Sequence, residues 1–359
     1  MANPEQQNLR ELLQTIQHEE GDSFTYDAAM IEEEAYGDAS FYANLPIKLL
    51  TIFGGFLAAF FLLGFLFSAG LYESELGVML SGIALLIGSE ILNRQRNEVL
   101  LGSMSAAFYI MGYFMFGMGL GQLSENETIL SLSFIAIAIA FILLSESTVF
   151  VFLAVLIVNG SLISLILIHK TSDMLHLFIG LATAVLTYMS LHEAGLISRH
   201  ARFNKLYPPV RMGLVFSLIG ALVLMAHQNL APMEISYIWV SSLVLIAAIL
   251  LMLRRIMQEK AVTDVKVQAV VYASVCLMLL PTILTPSIAG ALLLVLSSFY
   301  IGHRVSFVAG LLALGYFIML YYYNLQLTLL QKSGILVLTG CFFLGALYLL
   351  NRYLRSHAK

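Results

Sequence analysis

Residues 148–168 read TVFVFLAVLIVNGSLISLILI, a stretch with no charge and with Asn159 as its most polar member. At about 1.5 Å of rise per residue it makes a helix roughly as long as a bilayer's hydrocarbon core is thick. Outward from it, runs of the same kind recur on both sides. They fall at 49–72, 75–93, 99–122, 128–145, 148–168, 173–192, 209–228, 236–253, 266–284, 286–302, 306–324 and 333–351. The chain therefore reads as all-α, a polytopic transmembrane helix bundle of about twelve spans. Composition agrees. Of 359 residues 60% are apolar and 11% charged, with a mean hydropathy of +0.88. A soluble domain is about 45–50% apolar and about 25% charged. At roughly 20 residues per span, twelve spans use about 240 residues, which leaves no room for a separate soluble catalytic domain.

Charge sets the expected orientation. With the amino terminus inside, the alternation of spans puts sixteen of the eighteen Lys and Arg on inner segments and only Lys170 and Lys332 on outer ones. Short cytoplasmic loops carry such an excess, so both termini are expected in the cytoplasm. The outer segments carry Glu73, Glu75, Glu125, Glu127, Asp173 and Glu234 instead, and Tyr237 with Trp239 suits an outer interfacial belt. The linker from Glu193 to Pro208 divides the spans six and six, as in a two-half transporter. A short echo of Ser81-Gly82…Asn93-Arg94 in Thr339-Gly340…Asn351-Arg352 is the one hint of a repeat.

Three regions follow. Residues 1–48 read as a cytoplasmic amphipathic helix and acidic tether, with Leu9, Leu12, Leu13 and Ile16 on one stripe; ten of the 22 acidic residues lie here against Arg10 and Lys48. Residues 49–351 are the transmembrane helical domain, and 352–359 a short basic cytoplasmic tail. No secretory leader is expected, because the first apolar stretch begins only near Leu49. The remaining positive charge is spread over short loops, which reads as an orientation signal. The lipid bilayer is the expected partner, and no nucleic acid. Cys276 and Cys341 lie in apolar runs, so no disulfide framework is expected.

A few polar positions need an account. Glu90 stands four residues before Arg94 on one helix face, which predicts an ion pair at headgroup level, with a proton-coupling carboxylate as the alternative. Asn159, beside Gly160 and Ser161, suits helix packing with an amide bonded across the interface. On the outer side, His169, Asp173 and His176 gather at the fifth-to-sixth hairpin, and His227 ends the seventh span. Asp173 and His176, three apart, could face one metal, but the spacing fits no zinc signature and ordinary boundary roles are preferred. Gly117 with Gly121, and Gly54-Gly55 with Ala58-Ala59, predict close helix contacts. The stretch from Leu280 to Pro286 reads as a tight outer turn. Lys332, at the outer start of the last span, stands one short loop from Tyr321, Tyr322 and Tyr323. Snorkelling to lipid headgroups over the tyrosine rings is its ordinary reading, and the sharper alternative, which makes it the chain's best candidate for a functional position, is that it holds an anionic group, either a partner carboxylate or a lipid phosphate.

No nucleophile elbow, paired-histidine zinc motif or phosphate loop occurs in the sequence. No catalytic residue and no cofactor is expected.

The stretch Gly315-Tyr316 through Tyr321-Tyr322-Tyr323-Asn324-Leu325-Gln326-Leu327-Thr328-Leu329-Leu330-Gln331-Lys332-Ser333, followed by a glycine-spaced span to Asn351-Arg352, resembles a bacterial membrane family. That family is catalogued as domain of unknown function number four thousand four hundred and one. Gly54-Gly55-Phe56-Leu57-Ala58-Ala59 and the amino-terminal helix resemble it too, with Phe56 where members usually have tryptophan. The resemblance implies a multi-pass protein of the bacterial inner membrane. It also implies a gene found beside one for a membrane-anchored protein with a G-D-Y-x-x-L-x-Y motif, and so a heteromeric membrane complex. The leading expectation is a non-enzymatic subunit or scaffold of an envelope complex. A small-solute transporter or channel is the alternative, and an intramembrane lipid-acting enzyme the third reading.

Overall fold

The computed structural model describes residues 45–68, 70, 74–94, 99–198, 201–227, 235–262 and 264–324, with single residues between 330 and 345. Among these residues the regular structure is helical, without a strand. The helices are α1 (Leu45–Ser68), α2 (Glu75–Arg94), α3 (Val99–Ser124), α4 (Glu127–Leu144), α5 (Thr148–Ile168), α6 (Ser172–Leu191), the short α7 (Glu193–Ile197), α8 (Ala201–Ala226), α9 (Trp239–Glu259), α10 (Val265–Leu279) with a 3-10 turn at Leu280–Leu284, α11 (Pro286–Ile301) and α12 (Arg304–Asn324). Nine of the described helices are long and apolar enough to cross a membrane. Two shorter apolar segments, Ile52–Phe65 within α1 and Pro286–Ile301, stand where the sequence places two more spans. The amphipathic helix and tether, Lys332, most of the twelfth span and the basic tail lie outside the described residues.

Local chemistry punctuates the hairpins. Asn126 Oδ1 accepts the Thr128 and Ile129 amides at 3.0 and 3.4 Å and so starts α4, while Asp264 accepts the Lys266 amide at 2.9 Å before α10. Gly302, at φ +80°, ends α11 in the left-handed region that favours glycine.

The chain forms two compact units, residues 1–119 and 120–359. The boundary falls inside α3 and not in the Glu193–Pro208 linker, so the six-and-six division expected from the spans is not how the molecule is partitioned. That linker is itself largely helical. α8 begins at Ala201 and carries Pro208 and Pro209 inside it, because a helix can extend past the apolar run that hydropathy detects.

In the first unit α2 packs on α3 backbone to backbone. A Cβ built on Gly82 would lie 2.4 Å from the Phe116 amide nitrogen, and one on Gly119 would lie 2.5 Å from that of Met79. Gly112 faces Leu86 in the same seam. Gly112 and Gly119 are thus contact glycines of α3; Gly121, expected in the seam, has open space around it. Gly55 meets Ser103, as a close-packing face on α1 predicts, whereas Gly54 is open.

The second unit is built around α11, which packs against α8, α9 and α12. Ala289, Gly290, Ala291, Ser297 and Ser298 are all buried on it, and such small side chains let neighbouring backbones approach. Leu175, Ile179, Leu186, Leu218, Leu222, Leu245, Met252 and Phe317 fill the core around it. α5 pairs with α4 and α8, and α6 with α9.

Candidate functional site

At one end of the second unit stand the sequence-predicted outer residues. His176 is buried and uses both ring nitrogens. Nε2 lies 2.7 Å from the Ser236 carbonyl, and Nδ1 lies 2.7 Å from Ser241 Oγ. A carbonyl can only accept, so Nε2 donates to it, and Nδ1 shares a hydrogen bond with the serine hydroxyl. The ring fastens α6 to the start of α9, and both of its nitrogens are occupied. His169 and Asp173 are exposed, and His227 pairs instead with the Tyr316 hydroxyl on α12 at 2.5 Å. Among the described residues no group of three or more His, Cys, Asp or Glu is placed to hold a metal ion. The four candidate metal residues are therefore not gathered into one ligand set.

Tyr321 lines a recess of about 140 Å³ at the same end, together with Asn324, Thr285, Ser287 and Phe317. Tyr322 and Tyr323 meet edge to face, with ring centroids 6.2 Å apart, and Tyr323 is exposed.

Two further candidates have local partners. Arg94 Nε donates to Glu90 Oε1 at 3.2 Å, the ion pair that the spacing predicts. Asn159 is buried, but its amide donates to Val155 O in its own helix at 2.9 Å, rather than across an interface. An i−4 carbonyl is always within reach of such a side chain, whereas a neighbour's acceptor must be placed by packing.

The opposite end holds a constellation that sequence reasoning missed. Arg211 on α8 is 3% exposed. Among the described residues its Nε and Nη2 have no hydrogen-bond partner. Tyr207, one turn earlier on the same face, donates its hydroxyl to Met189 O at 3.1 Å. The Glu193 carboxylate acts electrostatically on both Tyr207 and Arg211, and Arg211 in turn acts on His303 in the α11–α12 turn. The sequence counts Arg211 among the inner-loop charges. It stands at the start of the seventh span, and its burial follows from how α8 packs against its neighbours, which no local motif announces. Chemically, the buried Arg211 guanidinium lies within the electrostatic reach of the half-buried Glu193 carboxylate at the α6–α7 junction and of His303 in the α11–α12 turn, and losing that carboxylate would leave the buried charge less compensated.

Residues 44–353 match the family described as a domain of unknown function, DUF4401. The chain belongs to the DUF4401 family. No curated protein and no solved structure matches it. A family match over almost the whole chain, together with the nine long apolar helices, makes this DUF4401 member a multi-pass membrane protein.

Proposed function

We propose that this DUF4401 protein is a non-enzymatic subunit of an envelope complex in a bacterial inner membrane, with both termini in the cytoplasm. The observation that carries the proposal is the helix made by α10 and its 3-10 turn. Only 11% of this span is buried within the chain. α4 is equally exposed, but its sequence is mostly Leu, Ile, Ala and Phe, which lipid solvates well. α10 instead carries Gln268, Tyr272 and Ser274. The serine hydroxyl is satisfied by Val270 O and the glutamine amide by Val262 O. The Tyr272 hydroxyl, about 10 Å along the helix from Val265, has no hydrogen-bond partner among the described residues. A phenol in hydrocarbon is costly without an acceptor, and a spanning helix of a partner supplies one. The tyrosine-rich end of α12, with Lys332 beyond it, is a second contact for the same assembly.

Cys276 lies one turn beyond Tyr272 and is exposed, so it serves as a native crosslinking handle. The protein is co-expressed with a membrane-anchored G-D-Y-x-x-L-x-Y protein of the kind the family resemblance implies, given single cysteines along its spanning helix. A stoichiometric complex in mild detergent is expected, with a periodic crosslink pattern to Cys276 that Tyr272→Ala weakens. A monomer under the same conditions that moves solute across liposomes would overturn the assignment in favour of a transporter.

A further inference from the structure

The ends of α8 and α12, the residue before α9, the 3-10 turn and the start of α11 enclose the recess of about 140 Å³ that Tyr321 lines. Met225, Ile238 and Phe317 give it apolar walls, Ser287, Tyr321 and Asn324 give it polar groups, and among the described residues no charged side chain lines it. α11 starts in its wall, with Pro286 at the first helical position. A helix start presents amides that lack partners within the helix, together with the positive end of the macrodipole. The Thr285 side chain makes no capping hydrogen bond here, and the first turn holds no acid. Its hydroxyl turns back to Pro281 O at 3.5 Å instead. The Ile288 and Ala289 amides return to Thr285 O at 3.1 and 3.4 Å, and proline has no amide hydrogen, so the Ser287 amide is the first donor left over. The Ser287 side chain is a separate matter from the helix end. Ser287 is only 8% exposed and lines the recess. A buried helical serine ordinarily bonds a carbonyl three or four residues back, as Ser297 does with Leu294 O at 3.1 Å. The Ser287 hydroxyl has no hydrogen-bond partner among the described residues. A buried donor of that kind is costly unless something in the recess accepts from it.

We propose that this recess binds one carboxylate on a short aliphatic stem. The Ser287 hydroxyl and amide donate to its oxygens, and Tyr321 and Asn324, both exposed, stand at the rim. The helix end offers about half a unit of positive charge, which suits a single negative charge. A phosphate, nearly doubly charged, would call for a cation that the wall does not contain. At roughly 30 Å³ per water the recess is several waters in volume, room for a carboxylate and its stem against the apolar walls. An aspartate or glutamate side chain of a partner supplies the group, a source that rests on the assembly proposed above. A free monocarboxylate is the other source of the same chemistry.

The test titrates the full-length protein in mild detergent with propionate, with its neutral isostere propionamide and with methylphosphonate, reading stability by thermal shift. Propionate is expected to stabilise at concentrations where the other two do not. Ser287→Ala, a substitution a helix tolerates, raises the propionate concentration needed by about tenfold, the loss of one hydrogen bond to a charged group. Ser287→Asp supplies the carboxylate from within, so it raises the melting temperature and abolishes the propionate response. No stabilisation by propionate, an equal response to propionamide, or an unchanged propionate response in either variant overturns the site and leaves a recess that holds water only. The source is read on the complex with the membrane-anchored partner. A partner carboxylate makes that complex insensitive to propionate, and Ser287→Ala weakens it by about tenfold. A complex that responds as the protein alone does overturns the partner source in favour of a free monocarboxylate. Failure to isolate any complex overturns the assembly together with that source, while the carboxylate site stands or falls on the titration of the protein alone.

Discussion

His303 stands immediately before α12 and caps it. Its Nδ1 lies 3.3 Å from the Ser306 amide and 3.0 Å from the Ser306 hydroxyl, so the neutral ring accepts the amide proton that an N-cap side chain ordinarily takes. Burial, and second the positive charge of Arg211, hold its pKa below the usual histidine value. The sign follows from linkage. The unfolded chain takes up a proton at about pH 6.5 while the folded protein resists it. Stability is therefore full above that pH and declines as pH falls through it toward the lower folded value. Thermal unfolding between pH 8 and 5 should show this decline, and His303→Gln should flatten it while costing about 1 kcal/mol at pH 8 for the lost cap. An equally steep decline in the variant would assign the slope to other groups. Glu90 and Arg94 pair because one helix sets both positions, so their spacing sufficed. Arg211 and His303 meet only through the packing of α8 beside the α11–α12 turn, and no spacing along the chain encodes that.

Among the elements, the spans themselves were legible, because the length of an apolar run needs no knowledge of neighbours. Their faces were not. In a lipid-solvated helix the side facing the protein and the side facing lipid are both apolar, so the periodicity that orients a soluble helix is weak. The α2–α3 seam makes the point. Gly117 and Gly121 offered the familiar four-residue spacing, yet Gly121 points into open space, and Gly112 and Gly119 make a close approach with Gly82 opposite. At Gly82 the obstructing atoms are backbone, the Phe116 nitrogen at 2.4 Å and the Gly112 oxygen at 2.8 Å, so no rotamer change relieves a larger side chain. Gly82→Leu should lower stability by about 3 kcal/mol or more and cut the membrane level of the protein. Gly121→Leu, pointing into open space, should remain within about 0.5 kcal/mol of the parent. Comparable levels and melting temperatures for the two variants would mean that the seam does not hold the first unit together.

For the whole molecule, the span count and the charge asymmetry together make one definite demand on orientation, and α4 is the element on which to test it. It crosses once between Glu127 and Glu146, both exposed. Neither position disturbs packing, whereas Asn126 caps the helix and would be a poor probe. The inner-face reading of Arg202, Lys205, Arg255 and Arg304 places Glu146 in the cytoplasm and Glu127 outside. In a background with Cys276→Ser and Cys341→Ser, Glu127→Cys should react with an impermeant maleimide on intact cells, and Glu146→Cys only after permeabilisation. Because both probes flank a single helix, the result does not depend on the twelfth span, on the amino-terminal tether or on how the first unit is built. Labelling at 146 alone would invert the protein. Labelling of both on intact cells would mean that α4 does not cross. Only the expected pattern keeps Arg202, Lys205, Arg255 and Arg304 on the inner face to which the charge bias assigns them.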